Sequence, residues 1–233
     1  MGIVLGEATA KALEERFHGL GRHEEILRQA YLGYGLVLGT LLTPDGGKCS
    51  VPQESITLVE NQGVVGDCHA CAVAEVDGRD DVLRLFLGLP KGTPKANLRQ
   101  VTVVSHEEGR LVAQHMGLPG GIMPSGLQAE NLILEGIPQL SKLPPRTRLM
   151  FLSPTGEART ASLYITAPNA SCGHPHANIV AHFKAEGVRP AVSYIDAAAN
   201  RRGLTAVVET GGLEPGVGGL IYPGDVVTVW KQN

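Results

Sequence analysis

R-T-A-S-L-Y-I-T-A-P (159–168) decides the fold. Apolar residues stand at every second position through its middle, the mark of a strand with one buried face. It runs into A-P-N-A-S-C-G-H-P-H (167–176), a polar loop that leads to a helix predicted over 177–186, with Gly187 just past its end. Further strands are predicted at 35–42, 55–60, 99–105, 132–134, 148–152, 204–209 and 225–230, and a short helix from His106 to Met116 ends near Gly117. With 30 glycines and 15 prolines among 233 residues, many turns between short strands are expected. The predicted class is α+β, mainly β: a β-barrel with peripheral helices.

Residues 7–32 differ in texture. Leu13, Phe17 and Leu20 recur at helical spacing, as do Ile26, Leu27, Ala30 and Tyr31, and Gly19 and Gly21 divide the stretch. A helical hairpin is the expectation, with a boundary near Gly33. Residues 1–33 then form an accessory segment and 34–233 the barrel domain. The hairpin's apolar face must pack on the barrel or on a second subunit, so a homodimer is one of two expectations.

Apolar residues make up 43% of the chain and charged ones 18%, enough for a sizeable core and against disorder. With 20 basic and 23 acidic residues, the balance gives no basic excess that would point to nucleic acid. No apolar run is long enough for a membrane span, and M-G-I-V-L-G is too short for the apolar part of an export signal. The four cysteines (Cys49, Cys68, Cys71 and Cys172) are therefore expected as reduced thiols of a cytoplasmic protein.

Cys172 is the candidate reactive group. A free thiol has a pKa of about 8.5, and a helix N-terminus or a nearby cation raises its thiolate fraction. Pro175 suits the first turn of the helix that follows, and His174 and His176 could serve as cation or base. The plainer role is a small buried hydrophobe, which a polar loop argues against. Upstream, G-V-V-G-D-C-H-A (63–70), N-L-R-Q-V-T-V-V (97–104) and A-E-N-L-I-L-E-G (129–136) each mix polar residues into strand-like runs. Asp67, His69, Arg99, Glu130 and Asn131 thus read as a site assembled from separate strand ends. Taken singly, each has a plainer role in a turn or on a solvent-facing edge. Cys68 and Cys71 form a C-x-x-C pair that could bind zinc or cycle as a disulfide. Zinc is the lesser expectation, because no second ligand pair stands at standard spacing.

The ordered set of these segments resembles the MOSC domain, named for the C-terminal part of molybdenum cofactor sulfurase, in its small stand-alone bacterial form. The resemblance rests on Gly63, Gly66, Asp67, His69 and Ala70; then Arg99, Gln100 and Val101; then Glu130 and Asn131; then Cys172; and last Gly224 and Asp225. It spans about residues 35–231. It implies a β-barrel and a link to molybdenum cofactor (molybdopterin) or to sulfur transfer, with Cys172 as molybdenum ligand or persulfide carrier. Some members reduce N-hydroxylated compounds, and others are thought to take sulfur from a pyridoxal-phosphate-dependent cysteine desulfurase. A desulfurase or a molybdoenzyme is the implied partner. In that frame Cys172, His69 and Asp67 carry the chemistry, while Arg99, Gln100, Glu130, Asn131 and Arg202, or Arg201 in its place, hold the cofactor. The chain departs from the pattern in four places, one of them the additional N-terminal hairpin. A-V-V-E (206–209) lacks the arginine many relatives have there, Thr102 replaces a serine, and the Cys68/Cys71 pair is additional.

Overall fold

The computed structural model describes residues 31–78, 86, 88–137, 139–171, 173–209 and 218–231. The expected hairpin lies outside them except for Tyr31 and Leu32, which stand in a strand and not in a helix. Cys172 also lies outside the described residues.

The strands are β1 (Tyr31–Leu42), β2 (Val51–Gln53), β3 (Ile56–Val59), β4 (Gly63–Val64), β5 (Val73–Glu75), β6 (Pro94–Ala96), β7 (Val101–Ser105), β8 (Leu132–Glu135), β9 (Arg148–Leu152), β10 (Ala158–Pro168), β11 (Leu204–Glu209), β12 (Gly219–Ile221) and β13 (Val226–Trp230). The helices among the described residues are α1 (His106–His115), α2 (Gly173–Ala185) and α3 (Tyr194–Ala197). Seven strands close into a barrel in the order β13-β9-β10-β11-β7-β8-β1, with β1 returning to β13 and β2 added outside β1. The expected mainly-β barrel with peripheral helices is what forms.

Alternation explains the closure. In β10, Ala161, Leu163, Ile165 and Ala167 are buried while the residues between them are more exposed. They meet Val37, Val101, Val103, Leu132, Leu134, Leu149, Phe151, Leu204, Ala206 and Val227 in one core. β1 serves three neighbours in turn: β13 through residues 31–36, β8 through 36–40 and β2 through 40–42. Register shifts after Tyr31 and Val37 bend it round the barrel. Gly35 fits this close passage, since a Cβ there would lie 2.2 Å from the Glu135 carbonyl oxygen. A small sheet of β12, β3 and β4 adds Ile56, Leu58, Val64 and Ile221 to the same core.

One neighbouring pair, β7 and β8, is parallel, and a parallel pair needs a crossover. Helix α1 supplies it. The Ser105 hydroxyl caps the helix by accepting the Glu108 N–H, and Glu107 and Glu108 place negative charge on its first turn. Gly117, in the left-handed region at φ +68°, ends it, as expected. Val112, Ala113 and Met116 pack against Ile179 and Phe183 of α2 and Tyr194 and Ala197 of α3, a second core beside the barrel. Helix α2 starts four residues earlier than the expected 177, so that Pro175 occupies its first turn.

Candidate functional site

β1 and β10 end, and β8 begins, around a cleft of about 500 Å³. Its wall includes Thr43 just past β1, Asn169 just past β10, Asn131 just before β8, and His174 and Pro175 from the first turn of α2. Cys68, His69, Cys71, Arg99 and Arg202 line it too. Five polar groups singled out from distant segments of sequence (His69, Arg99, Asn131, Arg202 and the C-x-x-C pair) therefore share one cavity. Asn169, His174 and Pro175, which lie within three residues of Cys172 in sequence, line the same space.

Asp67 organises one wall from below. Its Oδ2 accepts hydrogen bonds from the Thr43 N–H at 2.7 Å and Asn131 Nδ2 at 2.8 Å. Its Oδ1 accepts the His69 N–H at 2.8 Å and lies 2.9 Å from His69 Nδ1. Burial pushes the Asp67 carboxyl up, but the hydrogen bonds from the His69 ring and from the Thr43 and His69 backbone more than offset it, and the net pKa is lowered. The carboxylate is therefore an acceptor, and Nδ1 of His69 carries the hydrogen. The imidazole is about half exposed and presents Nε2 outward.

The Cys68 sulfur lies 3.3 Å from His69 Nδ1 and 4.0 Å from Nε2. Burial, then the Asp67 and Asp45 carboxylates, push the Cys68 thiol up, so without a ligand it is protonated at neutral pH. Asn97 fixes the other cysteine. Its Nδ2 donates to the carbonyls of His69 and Cys71, both at 3.1 Å, and approaches Cys71 Sγ at 3.3 Å. Asn97 was not among the expected site residues. Its signal was its place at the head of the N-L-R-Q-V segment, directly after β6.

Glu130, Asn131 and Gln100 shape the frame of the site, and of the three Asn131 lines the cleft. Glu130 is fully buried and accepts the Gly126 N–H at 2.6 Å and the Gln128 N–H at 3.0 Å, which shapes the 126–130 loop. Burial pushes its pKa up. Gly126 makes this turn possible: its φ is +86°, and a Cβ would sit 2.1 Å from the Ser50 carbonyl oxygen. Asn131 accepts the Thr102 N–H through Oδ1 and donates to Asp67, tying β7 to the Asp67 wall. Gln100 is not in the cleft at all. It is buried, and its Oε1 accepts the Val208 N–H across the barrel wall at 3.1 Å. That bond is a strand-to-strand tie. Asp225 likewise belongs to the frame, held in a fork by Arg159 at 2.6 and 3.0 Å.

The two arginines differ. Arg99 does not start a strand, since β7 begins at Val101, and its Nη2 donates to Asp77 at 3.0 Å. Arg202 is buried, 4% exposed, and donates through Nη2 to the Gln128 carbonyl. Its Nε and Nη1 are buried and have no acceptor among the described residues. A guanidinium with two of its three nitrogens unpaired, in the wall of a cleft, is suited to an anion.

The chain matches no family model. It is 29% identical over 167 residues, 72% of its length, to 76% of a protein of Bacillus subtilis (strain 168) described as "Putative metal-sulfur cluster biosynthesis proteins YuaD". The crystal structure of the YuaD protein from Bacillus subtilis superposes with a TM-score of 0.71 at 22% identity, covering 86% of this chain and 98% of that one. The identity is lower in the superposition because it takes in more of the chain than the sequence match does. The YiiM structure from Geobacillus stearothermophilus superposes at a TM-score of 0.42 and 10% identity. The fold is thus shared with YuaD. No helix among the described residues is long and apolar enough to cross a membrane.

Proposed function

We propose that this chain is a metal- and sulfur-handling protein whose cleft receives an anionic ligand beside Cys172. The observation that carries the reading is the pair of unpaired Arg202 nitrogens, Nε and Nη1: leaving two guanidinium nitrogens buried without acceptors is costly unless a ligand completes them. The name of the related YuaD protein supports the general sulfur and metal role.

The finer reading takes the ligand as molybdopterin, in keeping with the MOSC-like motif order. The residues fit such a group. Arg202 offers two unpaired donor nitrogens to an anion such as a phosphate, and Lys48 and His174 line the same cavity. The cavity volume lies within the range of about 300–1,000 Å³ usual for small-molecule sites. Molybdenum, when bound, would supply redox chemistry and take a soft thiolate, the role assigned to Cys172. Asn169 and His174, which flank that cysteine in sequence, line the cavity with Arg202. His174 and Pro175 of the first turn of α2 line that cavity, and a helix N-terminus favours a thiolate placed beside it. Asp67 holds His69 in one tautomer in the lining of the same cavity.

Purified protein from a host that makes the cofactor tests this directly. Molybdenum and pterin at one equivalent, lost in Cys172→Ser and in Arg202→Lys, are the expected result. Cyanide-labile sulfur on Cys172 without molybdenum would keep the sulfur role and remove the cofactor. Neither molybdenum nor labile sulfur at Cys172 would overturn both.

A further inference from the structure

The C-x-x-C turn carries a separate constellation. Asp67, Cys68 and His69 place potential ligand atoms within 4.8 Å of one another. Asp67 is nevertheless unavailable as a ligand, because its two oxygens already face four N–H groups: Thr43 and His69 backbone, Asn131 Nδ2 and His69 Nδ1. A carboxylate offers about four lone-pair positions, so none is left over. What Asp67 does is fix the imidazole with Nδ1 inward, leaving the Nε2 lone pair outward. This is the carboxylate–histidine arrangement that supports a metal on the second ring nitrogen. Cys68 Sγ stands 4.0 Å from that Nε2. Tetrahedral zinc, with bonds of about 2.3 Å to sulfur and 2.0 Å to nitrogen, separates its two ligands by about 3.5 Å. A small rotation of the exposed Cys68 side chain closes the difference.

We propose that Cys68, His69 Nε2 and Cys71 form a zinc-class metal site on the rim of the cleft, with Asp67 as positioning residue. Cys71 lines the same cleft; its sulfur stands outside the 4.8 Å group, held by Asn97 Nδ2 at 3.3 Å and close to the His69 carbonyl at 3.6 Å, and must rotate from these contacts to complete the set. Two thiolates and one imidazole suit a borderline-soft ion, and such a trio leaves the fourth tetrahedral position open toward the cavity. The site does not depend on the anion reading of Arg202 or on Cys172.

Zinc equilibrium dialysis of the full chain under a non-thiol reductant, together with cobalt(II) spectroscopy, tests the site. One equivalent should bind, with a thiolate-to-cobalt charge-transfer band and tetrahedral visible bands. Cys68→Ser and His69→Ala should each abolish stoichiometric binding, and Cys71→Ser should weaken it and diminish the charge-transfer band. Cys49→Ser, as control, should leave it unchanged. Asp67→Asn should lower affinity about 10–100-fold while the thiolate band persists at saturating cobalt, which separates positioning from ligation. Binding that survives Cys68→Ser and His69→Ala overturns the assignment, as does a thiolate band that disappears with Cys172→Ser while Cys68 is intact. Absence of stoichiometric metal in the folded wild-type chain overturns it outright. The Arg202→Lys effect on the anion is measured separately, so failure of one proposal leaves the other readable.

Discussion

A buried guanidinium with two idle nitrogens destabilises the protein that carries it. Arg202 gains one hydrogen bond, to the Gln128 carbonyl, and leaves Nε and Nη1 unpaired among the described residues. Each unsatisfied buried group costs about 1–3 kcal/mol. Methionine at 202 would keep much of the length and remove the charge, at the expense of the bond to Gln128. The Arg202 charge also acts to lower the pKa of the fully buried Glu130 carboxyl, so the test is made in a Glu130→Gln background, where Arg202→Met should raise the ligand-free unfolding stability by roughly 1 kcal/mol and eliminate binding of the anion. Urea unfolding of both proteins, stripped of ligand, checks it. A loss of stability beyond about 1 kcal/mol would mean that Arg202 is part of the frame and not held ready for a ligand. The sequence pointed to Arg202 only through its neighbourhood. R-R-G (201–203) looks the same whether the first or second arginine turns inward, and burial, which selects Arg202, is a property of the assembled loop.

Helix α1 is anchored as an element through one carboxylate. Ser141 donates to Glu108 through its hydroxyl at 2.6 Å and its N–H at 3.1 Å, and Gly203 N–H in turn reaches the same hydroxyl at 2.7 Å. This chain of bonds ties the β7–β8 crossover to the segment before β11. Burial raises the Glu108 pKa; the Ser141 bonds and Arg201 act against the rise, and Glu107 adds to it. Because the folded value exceeds the unfolded one, folding favours the protonated form. Its contribution is complete below the unfolded pKa of about 4.3 and is lost as pH rises through the folded value. Glutamine does not titrate. The stability of Glu108→Gln relative to wild type should thus increase between about pH 4 and pH 7, by an amount set by the folded pKa. Denaturant midpoints of both proteins at the two ends of that window decide it, and a constant difference would show that Glu108 titrates normally. Elements of this kind were legible where a period was clear. The alternation of 159–168 and 148–152 and the helix over 106–116 lie where expected. Ends were less legible: Tyr31 continued a helical spacing, yet its ring meets Trp230 edge-on across a strand pair at 5.2 Å, and tertiary pairing prevailed over local period. The roles of Gln100 and Glu130 were hidden for a related reason. A polar residue that satisfies a distant backbone group and one that faces a ligand have the same sequence appearance.

At the scale of the whole molecule, β1 is the closing strand. It joins β13 to β8, so the barrel has no free edge between them while β1 is present. The ring of strand pairs is complete within residues 31–230, with Tyr31 paired to Trp230 at its first rung. A chain beginning at Tyr31 should therefore fold with a cooperative unfolding transition and dispersed amide resonances. Starting at Gly33 instead removes the Tyr31–Trp230 contact and the first rung, and should lower stability by about 0.5–1.5 kcal/mol, the value of one aromatic pair. Starting at Thr43 removes β1 entirely, separates β13 from β8, and withdraws Val37 from the core. That chain should lose its sharp transition and expose apolar surface to a hydrophobic dye. If the chain from Tyr31 is itself molten, the first 30 residues complete the core and are not an accessory. If it is folded, its oligomeric state decides the remaining expectation for those residues. A monomer where the full chain is a dimer assigns them to a subunit contact, and equal states for both remove that assignment.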